Sequence, residues 1–167
     1  MKEVILAFGS NLGNRVKNIE RAIKFLEKVN IYPQKISSFY LTKPVGFPFQ
    51  PSFINSVGVF KTNLPPKEVL KMIKKIENRF YRLRLFKNAP RLLDIDILFY
   101  NSEIIDDKYL KIPHPKILER NFVLIPLLEV APDFYHPVVK KNLKEFSEKI
   151  DTNGVRIWKK RNSNTWQ

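Results

Sequence analysis

The triplet Asp94-Ile95-Asp96 lies in the strand-forming run Leu93 to Tyr100. On a strand, residues two apart point to the same face. The two carboxylates then stand on Cα atoms about 7 Å apart, from a rise of ~3.3–3.4 Å per residue. Carboxylates that close suit hard cations such as Mg²⁺, particularly a pair of ions around a polyphosphate. Ile95, Ile97 and Phe99 are expected on the opposite face, anchoring the strand in a core. The same pattern also serves an edge strand whose charges discourage aggregation, and Asp-x-Asp alone slightly favours that use.

The segment leading into this triplet is basic. Residues 78–93 hold Arg79, Arg82, Arg84, Lys87 and Arg91 and no acid. An Arg guanidinium presents a planar fork of donors that matches phosphate oxygens. Cations beside a carboxylate–metal site meet the needs of phosphoryl transfer, in which charge shifts between oxygens as the phosphorus moves. A solvated basic loop, or a track for nucleic-acid phosphates, is the other use of such a segment. Its adjacency to Asp94 and Asp96 favours phosphoryl chemistry.

Two further groups carry less weight alone. Phe53 and Asn55 share one strand face and could stack and hydrogen-bond a flat heterocycle, though by local sequence a core ring is the better reading. His114, framed by Pro113 and Pro115 with Arg120 and Phe122 downstream, could donate to a phosphate or simply sit on the surface; His136 is weaker still. No G-x-x-x-x-G-K-[ST] loop and no kinase Gly-rich set occurs. With five glycines in all, phosphates are expected to be held by side chains and metal.

These residues need elements to hold them. Val4 to Phe8 reads as a buried strand, and Gly9-Ser10-Asn11-Leu12-Gly13-Asn14 as a turn ending in an N-cap. Ile19, Ala22, Ile23 and Leu26 predict an amphipathic helix over about 14–29. Pro33 is expected to break the chain before a strand from Lys35 to Leu41. Pro44, Gly46, Pro48 and Pro51 make 43–52 an irregular loop. Phe53 to Lys61 alternates as a strand, with Phe53, Asn55, Val57 and Val59 on one side. Pro65-Pro66 opens a helix carrying Val69, Ile73, Ile76 and Phe80, residues 81–91 are loop, and the Asp94 strand follows. The order β-α-β-β-α-β predicts an α+β, ferredoxin-like core: an antiparallel sheet with two helices on one face. A C-terminal extension follows, with helices expected near 116–120 and 142–150, an apolar stretch over 122–130 and a short strand at 155–160.

The 167 residues fit one domain, 1–167, able to bury a core unaided. Absence of cysteine excludes disulfides and thiolate metal sites. No apolar run is long enough to span a bilayer and the N-terminal one is too short for a signal core, so a cytoplasmic protein without a membrane partner is expected. The net charge of +14 implies an anionic partner or a solubility bias.

Taken in order, these features resemble the 6-hydroxymethyl-7,8-dihydropterin pyrophosphokinase family. The resemblance rests on Gly9-Ser10-Asn11-Leu12-Gly13, Ser37-Ser38-Phe39-Tyr40-Leu41-Thr42, Phe53-Ile54-Asn55, Pro90-Arg91-Leu92-Leu93-Asp94-Ile95-Asp96-Ile97-Leu98, and Ile112-Pro113-His114 with Arg120 and Phe122. It spans about residues 3–137 and is loose over 138–167. It implies an Mg²⁺-dependent ATP:pterin diphosphotransferase of folate biosynthesis, passing pyrophosphate from ATP to the pterin hydroxymethyl group and releasing AMP. Under it, Asp94 and Asp96 would bind two Mg²⁺ ions, and Arg82 and Arg91 would assist the transfer. Phe53 and Phe122 would sandwich the pterin, Asn55 would bond its polar edge, and Thr42, Lys43 and Val45 would add contacts. Leu70, Glu77, Arg84, Lys87, Ile97, Lys111, His114 and Arg120 would lie around ATP.

The chain departs from the family in Tyr81, where Gly is common, and in Lys87-Asn88-Ala89, where Arg-Trp-Gly is common and one residue longer. Phe53 replaces a frequent Tyr, and Lys111 and Pro115 are also unusual. An RNA-binding module is the rival reading for a basic ferredoxin-like domain, but Phe53 to Lys61 lacks the expected ring-bearing pattern and no nucleic-acid partner is expected. A regulator that binds both ligands without turnover is the second rival. The sequence leaves the oligomeric state open.

Overall fold

The computed structural model describes residues 1–44, 46, 49–80, 90–162 and 166. Its first strand, β1 (Lys2–Ser10), runs into α1 (Arg15–Lys28), which Asn14 caps by accepting the Lys17 N–H at 3.1 Å. Then come β2 (Ile31–Ile36), β3 (Phe39–Thr42), β4 (Phe53–Thr62), α2 (Pro66–Arg79) and β5 (Asp94–Tyr100). A small hairpin, β6 (Ile105–Asp106) and β7 (Lys111–Ile112), leads to a 3-10 turn and α3 (Asn121–Val130). A second hairpin, β8 (Tyr135–His136) and β9 (Lys141–Asn142), a 3-10 stretch Leu143–Lys149 and β10 (Val155–Lys159) complete the order.

The main sheet is antiparallel in the order β10-β3-β4-β1-β5, with β2 also pairing β4. The β-α-β-β-α-β core is therefore the ferredoxin-like one. The strand expected over Lys35–Leu41 is two strands, because Ser37 and Ser38 interrupt it. The Ser37 hydroxyl donates to Ser38 O and accepts the Val57 N–H at 2.9 Å, in place of a regular ladder. Nor does Pro33 break the chain. It sits inside β2 opposite Phe60, just before a register shift, and among the described residues β2 pairs only with β4, so the missing N–H costs no ladder bond.

Alternation along the strands separates two cores. Val4, Leu6, Phe8, Ile54, Phe60, Ile95 and Ile97 pack against α1 and α2 through Ile19, Ile23, Leu26, Val69 and Ile73. Ile5, Ala7, Val57 and Val59 pack on the other face against Val123, Leu124, Leu127 and Leu143. The C-terminal stretch read as an appendage thus supplies the helix that covers the second face. Phe99 corrects the expected face pattern. Ile5 lies opposite Phe99 and Leu6 opposite Ile97, so Leu98 is an extra residue and parity flips after it. Phe99 joins Leu98 in the α3 core, while Ile95 and Ile97 stay in the other. Among the described residues, no helix is long and apolar enough to cross a membrane.

Candidate active site

The site lies on the α3 face, at the end of the sheet where β1 finishes and β4 and β5 begin. The register puts Gly9 between Asn55 and Asp94, Ala7 beside Asp96, Thr42 beside Phe53 and Tyr40 beside Asn55. Because Ile95 and Ile97 point into the opposite core, Asp94 and Asp96 must face this side. They line a cavity of about 270 Å³ together with Gly9, Thr42, Lys43, Phe53, Asn55, Arg91, His114, Arg120 and Phe122. Strand alternation, the β3–β4 pairing and the start of α3 thereby bring together two carboxylates, two rings, an amide and four basic side chains.

Gly9 forms the floor. A Cβ there would lie 3.1 Å from Asn55 Oδ1 and 3.6 Å from the Phe53 ring, so a bare backbone lets the amide and the ring share the space. The Asn55 Nδ2 donates to the Thr42 hydroxyl at 2.5 Å, which fixes the amide's orientation and turns its oxygen toward the cavity side near Gly9.

Arg91 bridges the two halves of the site. Its guanidinium lies 5.1 Å from the Phe53 ring centroid, and its Nη1 is 3.6 Å from Asp94 Oδ2. Cation–π attraction and the carboxylate hold it between ring and metal-type ligands. Asn11 sets its backbone: Asn11 Oδ1 accepts the Arg91 N–H at 2.8 Å, while Nδ2 donates to Gln50 Oε1 and Pro51 O. Arg120 stands over Phe122, 5.8 Å from its centroid.

His114 Nδ1 accepts the Lys116 N–H at 3.1 Å. Burial, then the nearby Arg120 charge, holds the imidazole below its ordinary range. It is neutral at physiological pH, with its proton on Nε2, a donor suited to an anionic oxygen.

A polar cluster supports the α3 wall. Glu129 accepts from the Ser38 N–H at 3.0 Å, the Ser38 hydroxyl at 2.9 Å and the Tyr40 hydroxyl at 2.6 Å. Burial, with Glu129 adding to it, pushes the Tyr40 phenol well up. These bonds tie α3, which carries Phe122 in its first turn, to β3, which ends in Thr42. Sequence reasoning gave Glu129 and Asn11 no role. An acid inside the apolar run 122–130 was the available signal for Glu129.

Several expected site residues lie elsewhere. Leu70 packs partly buried against the α1/α2 core, and Ile97 is buried there. Glu77 is buried under α2, accepting the Ile95 N–H at 3.4 Å and pairing with Lys74 at 3.3 Å. Lys111 is exposed and pairs with Asp106 at 3.3 Å. Val45, Arg82, Arg84 and Lys87 lie outside the described residues.

A carboxylate pair flanked by arginines can hold a divalent cation and a polyphosphate, and two rings with an amide lining the same cavity can hold a flat heterocycle. Comparison with known proteins points the same way. Residues 5–132 match the family model of 7,8-dihydro-6-hydroxymethylpterin-pyrophosphokinase (HPPK). The 2-amino-4-hydroxy-6-hydroxymethyldihydropteridine pyrophosphokinase of Aquifex aeolicus is 46% identical over 146 residues, 87% of this chain and 91% of that protein. The Bacillus subtilis protein of the same name is 38% identical over 157 residues, covering 93% and 90%. A folic acid synthesis protein of Dictyostelium discoideum is 46% identical over 136 residues, but the match spans only 20% of its length. The fold is shared with Plasmodium falciparum HPPK-DHPS at a TM-score of 0.73 and 17% identity, over 94% of this chain and 47% of that one.

Proposed function

The chain belongs to the 7,8-dihydro-6-hydroxymethylpterin-pyrophosphokinase family, and from that premise we propose that its cavity binds ATP and 6-hydroxymethyl-7,8-dihydropterin and joins pyrophosphate to the pterin. The pterin hydroxymethyl oxygen attacks the β-phosphorus of ATP. The bond from that phosphorus to the α,β-bridging oxygen breaks, AMP leaves with the oxygen, and the hydroxyl proton passes to water. The pyrophosphorylated pterin goes on to folate synthesis. The supporting observation is the single cavity in which Asp94 and Asp96 face Phe53, Asn55 and Phe122 across the Gly9 floor.

The donor set fits magnesium. Two carboxylates project from one strand face, and among the described residues no third acid or histidine joins them as a metal cluster. Mg²⁺ takes one or two carboxylates and completes its shell with substrate phosphates and water. Asp94 and Asp96 would hold two ions, which when bound neutralise the triphosphate and polarise the attacking hydroxyl. The remaining work falls to the protein. Phe53 and Phe122 stack the pterin, and Asn55, oriented by Thr42, bonds its polar edge and places the hydroxymethyl group. Arg91, fixed between Phe53 and Asp94, offsets charge that develops on the transferred group. The His114 Nε2–H and Arg120 donate to phosphate oxygens. Arg82, Arg84 and Lys87 are read as further phosphate contacts. The enzyme acts as one domain, in the cytoplasm, without a nucleic-acid partner.

The test mixes the protein with 6-hydroxymethyl-7,8-dihydropterin, ATP and Mg²⁺ and follows AMP. AMP release that needs all three supports the reading. ADP in place of AMP would mean attack at the γ-phosphorus and would overturn it. Binding of both ligands without turnover would leave the non-catalytic regulator instead.

A further inference from the structure

The family match ends at residue 132, yet the chain beyond it reaches back to the site. Strand β10 pairs along the outer edge of β3, with Val155 opposite Thr42, Arg156 opposite Leu41 and Ile157 opposite Tyr40. Just before it, Gly154 O accepts the Lys43 N–H at 3.2 Å. Gly154 has φ +76, and a Cβ there would meet the Lys43 side chain at 3.6 Å. The turn needs a left-handed residue, and glycine takes that conformation without strain. It closes directly onto the first residue after Thr42.

The same strand reaches the other end of the segment that joins Thr42 to Phe53. The Arg15 guanidinium lies 5.6 Å from the Trp158 ring centroid, and Arg15 Nη1 donates to Ser52 O at 2.8 Å. Trp158 thus braces an arginine that holds the backbone next to Phe53. Further along, the Arg161 N–H donates to the Ser38 hydroxyl oxygen at 3.0 Å, and Ser38 also bonds Glu129. A second cavity, of about 430 Å³, separates the turn at Asn153–Val155 from Arg120 and Phe122. The turn therefore stands beside the pterin-stacking wall.

We propose that residues 152–161 form a positioning clasp, which holds both ends of the Thr42–Phe53 segment and so presets Thr42, Asn55 and Phe53 for the pterin. The proposal rests on the pterin-binding reading of the site. It concerns positioning residues only, since neither Gly154 nor Trp158 lines the 270 Å³ cavity. It predicts a selective effect: weaker pterin binding with ATP binding unchanged, because Asp94, Asp96, His114 and Arg120 sit on elements that β10 does not pair with.

The experiment uses the full chain. Pterin affinity is measured by fluorescence titration in the presence of Mg²⁺ and α,β-methylene-ATP, and affinity for that analogue is measured separately. Trp158 is half exposed, so Trp158→Ala should fold normally. It should weaken pterin binding about threefold, the scale of a half-exposed cation–π contact, and Trp158→Phe should restore it. Gly154→Val, which strains the turn at its contact with Lys43, should weaken pterin binding about tenfold. Analogue affinity should stay within twofold in all three. Unchanged pterin affinity in both Trp158→Ala and Gly154→Val would overturn the clasp, as would equal losses for pterin and nucleotide. A wild-type protein that binds no pterin would overturn the reading beneath it and the clasp together.

Discussion

Gly9→Ala should separate folding from substrate binding. Gly9 lies in the ladder of β1 with ordinary extended backbone, so alanine can take its conformation. Removing a glycine from a strand lowers unfolded-state entropy and stabilises by roughly 0.4–1 kcal/mol where the backbone permits. Against that, the new methyl would stand 3.1 Å from Asn55 Oδ1 and 3.6 Å from the Phe53 ring. The first distance is several tenths of an ångström inside a comfortable carbon–oxygen contact. Asn55 must swing away, and its 2.5 Å bond to Thr42 is stretched or lost. A hydrogen bond of this kind contributes about 1 kcal/mol net, so pterin KM should rise about fivefold, with further loss if the Phe53 ring tilts. Steady-state AMP release at saturating ATP, beside a thermal melt, reads both quantities. The expected result is a melting temperature within about 4 °C of wild type, the shift for ~1 kcal/mol at this chain length, and a selective rise in pterin KM. An unchanged pterin KM would refute the idea that Gly9 exists to make room for the amide and the ring.

Other predictions concern the metal pair, the α3 support and pH. Asp96→Asn keeps the shape but removes a charge from the carboxylate pair; Mg²⁺-dependent AMP release should fall by at least about a hundredfold, and Mg²⁺ titration of nucleotide binding should weaken in parallel. Glu129→Ala leaves the Ser38 N–H and the Ser38 and Tyr40 hydroxyls without their acceptor; at ~1–3 kcal/mol for orphaned polar groups, the melting temperature should drop by roughly 2–12 °C. His136 accepts the Val138 and Val139 N–H groups and stands edge-on to Phe99, and burial lowers its pKa. A depressed folded pKa means the unfolded chain takes up the proton first as pH falls. Its contribution is complete above about pH 6.5 and is lost below it, so His136→Asn should show a shallower loss of melting temperature between pH 7.5 and 5.5 than wild type.

The parts of the fold and site that could be read from sequence are those set by period. Two-residue alternation placed Asp94 and Asp96 opposite Ile95 and Ile97, and put Asn55 with Val57 and Val59. Helical spacing found the buried stripes of α1 and α2. What escaped was set by partners far away in the chain. The extra residue Leu98 flips the parity of Phe99, and nothing local in Asp94–Tyr100 announces a bulge. Ser37 and Ser38 look like ordinary strand residues, and only their hydrogen bonds to Val57 and Glu129 show why the strand divides there. Glu129 and Asn11 act by joining segments some 80 or more residues apart, a distance that spacing arguments do not reach. Leu70, Glu77, Ile97 and Lys111, carried over on resemblance, lie away from the cavity because α2, the buried side of β5 and the β6–β7 hairpin do not open onto it.

The most direct test of the chemistry is to supply ATP carrying ³²P only in the β-phosphate, with 6-hydroxymethyl-7,8-dihydropterin and Mg²⁺, and to separate the products. Attack at the β-phosphorus predicts that all transferred label is in the pterin product and that the AMP formed in equal amount is unlabelled. Label in ADP, with a singly phosphorylated pterin beside it, would contradict the account.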